Sequence, residues 1–134
     1  MHASTAATYP VPFPGFDRLV FDHAKLQAVM REHRYASWCT ALGSVVGIYL
    51  ITDTSDGRQY VGKADGADSI RQRWGTYAAN GHGGDVGLRD LQLASFRFSL
   101  LRVLDPSTPT PVIDAAESHF KVALDTRRHG LNRN

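Results

Sequence analysis

Residues 47–64 read GIYLITDTSDGRQYVGKA. Two short apolar runs, GIYLI and QYVG, flank a polar segment, and each carries a tyrosine close to a glycine. Asp56-Gly57 supplies the positive-φ residue that a hairpin turn needs. Residues 45–51 therefore read as a buried strand, 53–57 as a turn and 58–62 as the returning strand. Side chains alternate faces along a strand, so Tyr49 and Tyr60 share a face only if the connecting loop has an even number of residues. A four-residue loop, Thr54–Gly57, sets Gly62 opposite Tyr49, with open space over the ring and Tyr60 diagonally beside it. A loop one residue shorter or longer puts the tyrosines on opposite faces, and both alternatives stand at this level.

Outward from the hairpin the chain alternates helices and loops. Residues 22–31 and 35–42 read as helices, the first with Leu26, Val29 and Met30 on one face, the second with Trp38 and Leu42. Before them, Pro10, Pro12 and Pro14 alternate with apolar residues, as in an extended arm laid on a surface. His23, His33 and Arg34 read as a solvated face. On the other side, residues 69–79 form a helix capped by Asp68 or Ser69, with Ile70, Trp74 and Tyr77 on its apolar side. A glycine-rich loop holding His82 follows, then a helix over 85–94 and a third strand over 96–104. Pro111 suits the first turn of a last helix that runs to about Arg128. Its buried stripe is Ile113, Ala116, Phe120, Ala123 and Leu124, with Glu117 at the margin.

The chain of 134 residues, 43% hydrophobic and 21% charged, has the composition of one globular domain. A net charge of +2 is compatible with nucleic-acid binding without arguing for it. Cys39, the single cysteine, excludes an internal disulfide and a cysteine-cluster zinc site, and reads as a buried inert thiol. The N-terminal residues lack the charged and apolar regions of a signal peptide. No apolar run approaches the roughly 18 residues of a membrane span. The expectation is a soluble, cytoplasmic protein without a membrane partner.

Chemistry-bearing side chains recur in a fixed order: Tyr49, Tyr60 and Lys63 on the hairpin, Arg73 on the next helix, His82 in the glycine-rich loop, Glu117 on the last helix and Asn132 in GLNRN. The pattern GIY, ten residues, then YVG resembles the GIY-YIG nuclease domain. The resemblance covers residues 45–134, about two thirds of the chain, and leaves 1–44 as an N-terminal arm and helical extension. It implies an α+β fold, a small three-stranded antiparallel sheet flanked by helices, and divalent-metal-dependent cleavage of phosphodiesters. Tyr49 and Tyr60 match the two motif tyrosines. Arg73 matches the catalytic arginine, Glu117 the metal-binding glutamate, Asn132 the terminal asparagine and His82 a loop histidine of some members. The chain departs from many members by placing Tyr77 where they carry a histidine one turn after the arginine, so the base assignment rests on Tyr49.

These residue types suit phosphodiester hydrolysis. Arginine donates two parallel hydrogen bonds to phosphate, which lysine cannot do in the same planar way. A single glutamate suits Mg2+ or Mn2+, which takes one or two carboxylates and fills its shell with water and phosphate oxygens. A phenol with an ordinary pKa near 10 is a poor base at neutral pH and needs a cation beside it. Lys63 is the expected helper, with the glycine gap at Gly62 admitting phosphate and water. Arg71, Lys121, Arg127, Arg128 and Arg133 are the expected phosphate-contacting surface, although cations in a last helical turn also stabilise a helix without any ligand. The expected substrate is DNA, with RNA left open, and a homodimer would serve a two-strand cut. The competing reading is a non-catalytic nucleic-acid-binding module on the same fold. An enzyme of small phosphoesters is disfavoured by the absence of a phosphate-cradling loop motif.

Overall fold

The computed structural model describes residues 9–80, 86–88 and 91–134. It is a mixed α+β fold with a four-stranded antiparallel sheet: β1 (Val20–Asp22), β2 (Val46–Asp53), β3 (Gln59–Ala64) and β4 (Phe96–Leu104), in spatial order β1-β4-β2-β3. The expected three-stranded sheet gains β1, which pairs Val20, Phe21 and Asp22 with Ser99, Phe98 and Arg97. A three-residue strand carries too short an alternation to stand out beside the helical pattern that follows it.

The five α-helices among the described residues are α1 (His23–Arg31), α2 (Ala36–Gly43), α3 (Ile70–Asn80), α4 (Thr110–Ala123) and α5 (Thr126–His129). They cover both faces of the sheet. One face packs Tyr49, Ile51, Phe96 and Phe98 against Leu26, Val29, Trp38, Leu42, Trp74 and Tyr77 of α1, α2 and α3. The other packs Val46, Ile48 and Val61 against Ile113 and Ala116 of α4. Residues 19–42 share a continuous core with the hairpin and α3. The arm lies on α2, where Trp38 Nε1 and Ser37 Oγ both donate to the Val11 carbonyl.

Several local expectations change. Positions 86–88 and 93–95 form 3-10 turns rather than one helix over 85–94, of which positions 85, 89 and 90 lie outside the described residues. The last helix breaks: Asp125 adopts a left-handed conformation (φ 53°), which aspartate tolerates better than most residues, and α5 starts anew. The break leaves Ala123 and Leu124 exposed instead of in the buried stripe. His23 is buried, its Nε2 bonded to the Tyr77 carbonyl oxygen at 3.0 Å, and so belongs to no solvated face. Cys39 is buried as expected, its thiol donating to the Val29 carbonyl. No helix among the described residues is long and apolar enough to cross a membrane.

Candidate active site

The hairpin closes through Thr54–Gly57, since Asp53 N–H donates to the Arg58 carbonyl. This even loop pairs Tyr49 with Gly62 and Ile51 with Tyr60, so both tyrosines face the α1–α3 side. Between Ile48 and Tyr49 the β2–β4 register slips by one residue: Ile48 pairs with Arg102 and Tyr49 with Leu100. Leu101 is the extra residue of this bulge, a feature that often re-aims side chains near functional sites. The space over Gly62 is not open. A Cβ there would collide with the Tyr49 ring and hydroxyl, so the glycine is required by the phenol lying across it. The expected entry gap for water and phosphate is thus filled by Tyr49 itself.

α3 brings Arg73 and Tyr77 to that phenol. Ser69 and Gln72 form a reciprocal capping box, Ser69 Oγ accepting from Gln72 N–H and Gln72 Oε1 from Ser69 N–H, which fixes where the helix begins. One turn apart, Arg73 Nη2 reaches the Tyr49 hydroxyl at 3.4 Å and the Tyr77 hydroxyl lies 2.7 Å from it. The guanidinium also stands over the Tyr77 ring, 5.8 Å from its centroid. In sequence Tyr77 is legible as a core residue one turn from Arg73, where the two can meet, but not as a partner of the Tyr49 hydroxyl, which depends on how α3 packs on β2.

A polar cleft of about 290 Å³ is lined by Tyr49, Tyr60, Lys63, Asp65, Asp68, Arg73, Glu117 and Asn134. It wraps the outer edge of β3, the last strand of the sheet. Larger, more apolar grooves of about 380 and 460 Å³ lie beside β4, away from these groups, and their linings offer little chemistry. Five sequence-selected residues therefore converge: Tyr49, Tyr60, Lys63, Arg73 and Glu117.

Lys63 does not serve Tyr49 as expected. It pairs in register with Ile48, so it leaves β3 toward α4, on the face opposite Tyr49. Its ammonium is hydrogen-bonded to Asp114 and lies 3.3 Å from Asp65. Asp114, with Asp65 behind it, holds Lys63 above the ordinary lysine range despite some desolvation. The cation seen at the Tyr49 hydroxyl is Arg73.

Asn132 does not line the cleft. It is buried, its Oδ1 accepting from Val61 N–H and its Nδ2 donating to the Val61 carbonyl, at 2.9 and 3.0 Å. Leu131 N–H donates to Gln59. The segment 130–132 thus seals the edge of β3 like a short strand, and Asn132 supports the site instead of entering it. Lys121 is likewise no surface contact. It is 4% exposed, with its ammonium 3.3 Å from the main-chain and side-chain oxygens of Asn134 and 3.6 Å from Glu117. The chain beyond the break returns over this lysine of α4 and places Asn134 on its ammonium. Arg127 donates to the Asn134 main-chain oxygen while remaining exposed, and Arg71, Arg128 and Arg133 are exposed. His82 lies outside the described residues.

Glu117 is half-buried on α4 with hard oxygen donors nearby in Asp65, Asp68 and Asn134. Among the described residues no cluster of three or more histidine, cysteine or acidic side chains is placed to hold a metal ion. The donor chemistry fits a hard divalent cation bound by one carboxylate and completed by water and substrate oxygens, not a preformed cage. No family model matches the chain, and no curated protein or solved structure matches it either.

Proposed function

We propose that the chain is a divalent-metal-dependent endonuclease of the GIY-YIG kind, hydrolysing DNA phosphodiester bonds. The observation that carries this reading is the convergence of Tyr49, Tyr60, Arg73 and Glu117, from β2, β3, α3 and α4, on one polar cleft. In this scheme Tyr49 takes the proton from the attacking water. The phenolate that forms is stabilised by Arg73 and by a hydrogen bond from Tyr77. Arg73 also neutralises charge on the phosphoryl oxygens, and Tyr60 positions water or phosphate from the neighbouring strand. Glu117 would hold Mg2+ or Mn2+, which when bound supplies Lewis-acid stabilisation of the leaving oxygen. Exposed Arg71, Arg127, Arg128 and Arg133 supply backbone contacts to a polyanion. A homodimer would bring two such clefts to a two-strand cut.

Plasmid nicking with Mg2+, set against the same reaction in chelator, tests the proposal. Cutting by the wild type is expected, with loss of cutting but retained DNA binding in Glu117→Ala and Tyr49→Phe. DNA binding without cutting by the wild type would favour the non-catalytic module.

A further inference from the structure

Lys63 leaves β3 on the face that α4 covers, and its ammonium meets Asp114 of α4 and Asp65 just after β3. Asp114 stands one turn before Glu117 on the same helix. One ion cluster therefore ties the hairpin to the helix bearing the candidate metal ligand, at the wall of the cleft that Lys63 and Asp65 also line. The side chain of Asp114 is 50% exposed, and exposed ion pairs add little to stability. What two carboxylates do achieve is to restrict a long flexible side chain and to keep its charge in place. An ammonium so engaged is a poor proton acceptor for Tyr49 but a fixed positive charge for an anion in the cleft.

We propose that Asp114, together with Asp65, is a positioning pair that holds Lys63 as a fixed cation toward the phosphate bound in the cleft. The inference rests on the endonuclease reading and assigns a role that reading leaves open. Asp114 acts through Lys63 and does not touch substrate.

The test uses the full chain in two independent measurements. In the first, the lysine ammonium groups are observed by nitrogen-15 magnetic resonance without DNA, and Lys63→Arg identifies the Lys63 signal among those of Lys25 and Lys121. An ion-paired ammonium exchanges slowly, so the Lys63 signal is expected in the wild type and lost in Asp114→Asn. An unaltered signal in that variant overturns the pair. In the second, kcat for plasmid nicking is expected to fall roughly ten-fold in Asp114→Asn, as when the orienting partner of a functional group is removed. KM should change little, Asp114→Glu should recover part of the rate, and Asp65→Asn should show a smaller loss. Wild-type kcat in Asp114→Asn overturns the positioning role. A wild type that does not cut overturns the endonuclease reading and with it the catalytic purpose of the pair. That failure is distinguishable because the ammonium signal is read without turnover.

Discussion

The hydroxyl oxygens of Tyr49 and Tyr77 lie 2.7 Å apart, on buried rings packed edge to face. Either oxygen can donate while both are neutral. Once Tyr49 is ionised, Tyr77 must be the donor. Tyr77→Phe keeps the ring and removes that donor. A hydrogen bond to a charged group is worth about 1.5–3 kcal/mol, so nicking is expected to fall roughly 10- to 100-fold. The rising limb of the pH–rate profile should move to higher pH, a shift that loss of packing alone would not produce.

Gly62→Ala sets a methyl group against the Tyr49 ring. The ring is enclosed by Trp74 and Tyr77 and has little room to yield. Overpacking of this kind costs about 1–3 kcal/mol. A lower melting temperature by circular dichroism is expected together with loss of nicking. Unchanged values of both would mean that the ring does not lie across the strand.

Asn132→Ala leaves the outward N–H and carbonyl of Val61 without their partner. An unsatisfied buried polar group costs about 1–3 kcal/mol. The melting temperature is expected to drop by several degrees, on the order of 2–6 °C per kcal/mol for a chain of this size. Amide exchange at Val61 should accelerate well above that of its neighbours. A direct catalytic role would instead lower activity while leaving stability and exchange unchanged.

Lys63 carries a raised pKa in the folded state because of Asp114 and, behind it, Asp65. The folded value exceeds the ordinary 10.5, so this contribution to stability is fully present below pH 10.5 and is lost as pH rises through the folded value. The melting temperatures of wild type and Asp114→Asn should therefore differ by a small constant amount between neutral pH and pH 10.5 and converge above it. Added salt should narrow the gap, because the pair is partly solvated. A gap that widens with alkalinity would reverse the assignment.

The hairpin was readable because Asp56-Gly57 and two short apolar runs constrain it locally, and its even loop then decided which side chains share a face. The helix carrying Arg73 was readable from its capping residue and its apolar spacing. What escaped depended on contacts distant in the chain. Lys63 follows Tyr60 so closely that sequence proximity invites cooperation with the tyrosines, yet strand alternation sends it to the other face, and Asp114 claims it from 51 residues away. Lys121 looked like one more surface cation until the left-handed Asp125 turned the chain back over it. Asn132 carries the same letter whether it meets a substrate or a strand edge, and only the position of β3 at the end of the sheet distinguishes the two.

The amide of Asn132 closes Val61 from 71 positions further along the chain. During synthesis the hairpin leaves the ribosome long before its closing segment, with a bare strand edge and half of the cleft wall still unmade. Whatever chemistry the cleft performs is thereby deferred until Glu117 and the segment through Asn134 have been made.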